Sequence, residues 1–261
     1  MGSEMCIRDS NIPGETDYNV ARAIGGGLVK ALDYLSTATR LQIKDYSVTY
    51  AQVENLYLEL LSSAQAGSDL QKYWYSQYVD LSKNSMHLNN LRQILASEKT
   101  FSGLTIDQDK RWEIVAALNR YQHGDYLALL EAEKLRDNSD TGVKYAIYSE
   151  ALRPDPEIKA KWFAVVTDNP DRLKLSTLRY IMAGLFPPEQ SALEQPYKAR
   201  ILAQIPVLNQ GSDLGLTRSF TSSLLPAQCT DQSEKELAGL VEEYQAMKPQ
   251  ILKAVKARHQ T

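Results

Sequence analysis

Val53-Glu-Asn-Leu56-Tyr57-Leu-Glu-Leu60-Leu61 is the stretch on which the fold is decided. Val53, Leu56, Tyr57, Leu60 and Leu61 stand at i, i+3, i+4, i+7 and i+8. That is one apolar stripe at the helical period, whereas a half-buried strand would alternate every second residue. Outward from it the pattern returns in Leu237, Leu240, Val241 and Tyr244, and again in Ile251, Leu252 and Val255. Helix starts are marked as well. Ser68-Asp-Leu-Gln71, Thr105-Ile-Asp-Gln108 and Ser233-Glu-Lys-Glu236 have capping-box spacing, which satisfies orphan amide donors reciprocally. Asp155-Pro156 and Asn169-Pro170 put a cap residue before a proline whose missing N–H costs nothing at the first helical position.

These signals predict helices over 17–37, 48–64, 69–82, 85–97, 107–121, 124–135, 140–152, 156–167, 171–184, 188–204, 212–223, 232–246 and 248–259. Residues 41–50 alternate weakly, but no partner strand with hairpin signals follows. Many helices on short connections predict an all-α fold, an α-solenoid of stacked antiparallel helix pairs of HEAT-like kind, in a single domain.

The 261 residues are 43% hydrophobic and 23% charged, a globular composition. With 29 Lys and Arg against 32 Asp and Glu, the net charge is −3. That balance excludes a general binder of nucleic acid or anionic membranes, both of which need a basic excess. No apolar run approaches the length of a membrane-spanning helix. Residues 1–10, Met-Gly-Ser-Glu-Met-Cys-Ile-Arg-Asp-Ser, read as translated sequencing adapter. The expectation is therefore an adapter-derived segment at 1–10 and a natural domain over 11–261, cut from a gene that continues upstream. On this reading Cys6 is foreign and Cys229 is the chain's own cysteine, too few for a disulfide framework or a four-cysteine zinc site.

The search for chemistry finds little. His87, His123 and His259 never form His-Glu-x-x-His, in which two imidazoles one turn apart would face a zinc ion. His123 falls in a predicted turn, where a solvated side chain is expected. Gly25-Gly-Gly27 lacks the lysine and spacing of a phosphate loop and reads as helix distortion or close packing. Tyr73, Trp74, Tyr75 and Tyr78 share one helix and are expected in the core rather than on a ligand. Cys229 has no histidine at a useful offset, so it is expected to be a buried thiol or half of a disulfide rather than a nucleophile. No catalytic and no metal-binding residue is expected.

One ordered series carries family information. Asp109-Lys-Arg111-Trp112 opens a helix and is followed by Glu133 and by Arg136-Asp137-Asn-Ser139-Asp140-Thr-Gly142. Ala151 and Pro154 come next, then Lys159-Ala-Lys161-Trp162, Ser176-Thr177-Leu178-Arg179 and Phe186. Pro188-Glu-Gln190, Gln195-Pro196-Tyr197, Arg218-Ser-Phe220 and Leu224-Leu225-Pro226 complete it. The series resembles the C-terminal helical domain of the zinc aminopeptidase N family, the part similar to endoplasmic-reticulum aminopeptidases, best over 107–226 and compatibly over 11–106. Local physics gives some of these residues work regardless: Ser139-Asp140 caps a helix, and Trp112 and Trp162 anchor a core.

The resemblance implies a non-catalytic part of a bacterial metalloenzyme. In that family, catalysis lies upstream, on His-Glu-x-x-His with a distal glutamate on zinc and a Gly-x-Met-Glu-Asn strand that holds the substrate's amine. None of these motifs is in this chain. The implied role is a helical bowl that covers the active site and encloses the peptide cavity, inactive alone. Its partners would be the catalytic domain of the same polypeptide and peptide substrates, and the zinc would belong to that other domain. Arg179 and Arg218 are the candidates for meeting a peptide's terminal carboxylate, because a guanidinium fork pairs a carboxylate bidentately. A solvated or helix-pairing arginine is the plainer reading of either. The alternative function is a free-standing helical-repeat scaffold that binds a protein partner. Coding sequence upstream of Asn11 separates the two readings. Bacterial cytoplasm and periplasm both stay open as compartments.

Overall fold

In a computed structural model of the chain, residues 12–40, 42, 44–168, 170–225, 235, 238–239, 249 and 251–253 are described. Among the described residues there is no strand. The α-helices are α1 (Tyr18–Arg40), α2 (Ser47–Ser63), α3 (Asp69–Leu81), α4 (Ser85–Leu95), α5 (Gln108–Arg120), α6 (Tyr126–Arg136), α7 (Asp140–Ala151), α8 (Pro156–Asp168), α9 (Leu175–Leu185), α10 (Ser191–Glu194), α11 (Lys198–Gln210) and α12 (Leu214–Leu224). The fold is all-α. Its helices gather into two compact units, Met1–Leu129 and Leu130–Thr261.

In the first unit the 53–61 stripe does what its period implies. Val53, Tyr57, Leu60 and Leu61 are buried, and α2 packs along α3. Trp74, Tyr75 and Tyr78 are core residues, whereas Tyr73, expected with them, is only half-buried. Trp74 meets Tyr57 edge-on at 5.5 Å between ring centroids, and the Tyr75 hydroxyl donates to the Lys110 carbonyl at 2.8 Å. Gly25 of α1 allows a close helix approach. A Cβ there would lie 2.5 Å from the Tyr73 hydroxyl and 3.3 Å from that of Tyr57, which donates to the Gly25 carbonyl. In the second unit, Phe163, Ile181, Leu185, Ile201, Ile205, Phe220, Leu224 and Ile251 share one core with Trp162.

Several helix starts differ from the expected ones. Asp107, not Thr105, caps α5 and accepts from the Lys110 amide at 3.1 Å, because an aspartate two residues nearer the helix is the stronger cap. Ser68 caps α3 as expected, but Gln71 reaches back to the amide of Gly67 rather than of Ser68. Asp155 caps α8 ahead of Pro156. Pro170 opens a short 3-10 turn, Pro170–Arg172, and α9 begins only at Leu175. Of the expected helix over 188–204, residues 188–197 form short helical turns, Pro188–Gln190, Ser191–Glu194 and Gln195–Tyr197, and residues 198–204 lie in α11. Prolines 188 and 196 each restart the chain, and the long helix α11 follows and carries Pro206 inside it. The caps expected at Asn169 and Ser233, the stripe at 237–244, Cys229 and His259 lie outside the described residues.

Two buried charged side chains join helix ends that are far apart in the chain. Glu54, wholly buried in α2, accepts from the backbone amides of Lys83 at 2.8 Å and Asn84 at 3.0 Å and from the Asn84 side-chain amide. It therefore caps α4, whose own N-cap residue Asn84 makes no capping bond. Lys159, wholly buried in α8, donates to the carbonyls of Ala151 at 2.6 Å and Gly184 at 3.4 Å, at the C-terminal ends of α7 and α9. Negative charge suits a helix N-terminus and positive charge a C-terminus, so both placements agree with the macrodipole.

Glu113 of α5 accepts from Ser76 of α3 at 3.4 Å. Burial, with the charge of Asp80 second, pushes its carboxyl up to about 7 from the ordinary 4.5. The folded state therefore binds this proton more tightly than the unfolded state. Its contribution is fully present below about 4.5 and is lost as pH rises through about 7. Glu113→Gln should raise stability at pH 8 by about 1–2 kcal/mol more than at pH 5, a figure reduced for the part of the group open to solvent. Urea unfolding of both proteins at the two pH values checks this. An equal difference at pH 5 and pH 8 would contradict it.

Candidate functional site

The two arginines singled out from the sequence come together on one helix pair, because α9 packs on α12. Gly215 makes the close approach possible, since a Cβ there would stand 2.7 Å from Leu175 Cδ2 and 3.8 Å from an Arg179 guanidinium nitrogen. Arg179 Nε donates to Ser219 Oγ at 3.0 Å, and that hydroxyl donates in turn to the Gly215 carbonyl at 2.8 Å. One edge of the Arg179 guanidinium thus ties α9 to α12, which is the helix-pairing role, while the residue as a whole stays exposed. Arg218 stands one position before Ser219 on α12 and is exposed, and its side chain has no hydrogen-bond or ion-pair partner among the described residues. Chemically, this pair of helices can offer fixed positive charge to an anion at its surface.

The histidines are not ligands held in common. His87 of α4 is buried with its Nδ1 on the Tyr78 hydroxyl at 3.1 Å. His123, in the turn expected for it, has Nε2 3.0 Å from Asn89 Oδ1. Burial pushes both imidazoles below their ordinary range, with Lys99 adding to the effect at His87 and Arg92 at His123. Among the described residues no group of three or more His, Cys, Asp or Glu side chains could hold a metal ion.

The description of the ERAP1-like C-terminal domain matches residues 9–257. The chain belongs to that family. The match takes in the first hundred residues, where the motif series is thin, together with the stretch where it is dense. A search of curated proteins finds no match. Within this ERAP1-like C-terminal domain, several residues of the series have structural work. Ser139 caps α7, accepting from the Gly142 amide at 3.0 Å. Gly142 leaves room for Asp137, Trp112 is wholly buried, and Gln190 donates to the Leu152 carbonyl at 2.7 Å. No helix among the described residues is long and apolar enough to cross a membrane.

Sequence reasoning missed the buried roles of Glu54, Lys159 and His87. A signal existed for Lys159 alone: it sits in the motif series three residues before a core tryptophan, on the buried face of α8. Glu54 and His87 carry no comparable mark.

Proposed function

We propose that this domain is the non-catalytic C-terminal part of a bacterial zinc aminopeptidase, covering the active site and enclosing the peptide cavity of the complete enzyme. The observation that carries the reading is the family match over residues 9–257. On this reading the zinc and its chemistry would belong to the catalytic domain, and no catalytic step is assigned to this one. The whole enzyme would remove N-terminal residues from peptides. This domain would restrict access by size and hold the far end of the substrate.

Arg179 and Arg218 are the side chains proposed for that far end. Their exposure and shared helix pair support the assignment, and the bond from Arg179 to Ser219 leaves the rest of its fork available for a carboxylate. A contact of this exposed kind is worth ~1 kcal/mol, about fivefold in affinity. The test uses the complete enzyme with Arg179→Ala and Arg218→Ala. Cleavage of free-carboxylate peptides should fall about fivefold relative to amidated peptides and a one-residue reporter. Equal losses on all three would make the residue structural, and no loss on any would remove it from the cavity.

A further inference from the structure

The first turns of α2 and α4 line an open cleft of about 340 Å³. Val48, Ala51 and Met86 form its apolar wall, and Asn55, Asn84 and His87 form its polar one. Val48 is 71% exposed and Met86 56%, so two large apolar side chains flank an opening that the described residues do not fill. His87, by contrast, is 1% exposed.

The hydrogen bonds behind His87 favour one assignment of its proton. Lys99 Nζ can only donate, and it donates to Asn90 Oδ1 at 3.0 Å. That places the Asn90 amide nitrogen toward Tyr78, to whose hydroxyl it donates at 3.3 Å. The Tyr78 hydroxyl hydrogen then has His87 Nδ1, at 3.1 Å, as its acceptor. A neutral imidazole that accepts at Nδ1 carries its hydrogen on Nε2. That N–H has no partner among the described residues, and the ring bearing it lines the cavity. The chain from Lys99 to Nε2 thus leaves one donor on a residue that lines an apolar-walled opening.

Charge decides what the donor would meet. The Glu54 carboxylate occupies the amides of Lys83 and Asn84 at the start of α4, beside the cavity, and opposes a second negative group there. We propose that this cavity binds an uncharged, peptide-like group, an amide carbonyl accepting from His87 Nε2–H with an aliphatic side chain against Val48, Ala51 and Met86. The site stands independently of any role over an active site, because it draws on the first unit alone.

The experiment titrates the 15N-labelled full chain with N-acetyl-leucine amide, and separately with N-acetyl-leucine, whose carboxylate is charged. The amide should shift the signals of Ala51, Met86 and His87 saturably, at least fivefold more tightly than the acid. Ala51→Trp, which fills the opening from a half-buried position on α2, should abolish the shifts while keeping the fold. His87→Phe should abolish them too, and if that variant does not fold, Ala51→Trp decides. Tighter binding of the acid, no shift with either probe, or unchanged binding to Ala51→Trp would each overturn the proposal.

Discussion

Lys159→Ala will destabilise the second unit by about 3–5 kcal/mol, and Lys159→Met by about 2 kcal/mol. The two figures separate two contributions. Alanine empties the space of a fully buried side chain and removes its ammonium. Methionine keeps most of the stem and removes the ammonium alone, leaving the Ala151 and Gly184 carbonyls without that donor at the ends of α7 and α9. Hydrogen bonds to a charged group contribute roughly 1.5–3 kcal/mol each, but the ammonium's own dehydration opposes them, so the methionine figure stays below their sum. Urea unfolding of the full chain measures both. A methionine variant as stable as the parent would show that the stem, not the charge, holds these helix ends.

Glu54→Leu will cost about 2 kcal/mol, because it takes the acceptor from two part-buried amide donors at the start of α4, whose N-cap residue makes no capping bond of its own. Glu54→Gln will cost about 1 kcal/mol, since one oxygen can still take the two backbone amides while the new –NH2 faces the Asn84 amide. Hydrogen exchange gives a second measurement. The first turn of α4 should lose protection in the leucine variant before the centre of α3 does. Uniform loss across the unit would assign Glu54 to general packing rather than to capping.

Helices were legible wherever an apolar period coincided with a local stop or start. The 53–61 stripe, the Asp155-Pro156 start and the Ser139 cap all act through neighbours a few residues away, and all are found as expected. The run after Phe186 was not legible. Its residues have helical composition, and only the three-dimensional path shows that Pro188 and Pro196 divide it into separate turns. Glu54 interrupts no pattern, because a charged residue beside a stripe is ordinarily solvated, and its partners stand about thirty positions away. The donor on His87 is hidden for the same reason, since its protonation is set through Tyr78, Asn90 and Lys99 on two helices and a loop. No sequence spacing announces that Arg179 and Arg218 stand on neighbouring helices, and the tie from Arg179 to Ser219 spans forty positions.

Capping from a distance bears on how such a domain can be edited. In a one-dimensional array of self-contained repeats, a helix pair can be cut out or duplicated and its neighbours close up. Here α4 borrows its start from α2, and α7 and α9 share one stopper carried by α8. Excising α2 with α3 would remove more than two helices, because the next one would lose its first turn. Shuffling or trimming within either unit should therefore fail at the seams where a helix and the residue that ends it are parted, while insertions in the connecting turns leave those pairs intact.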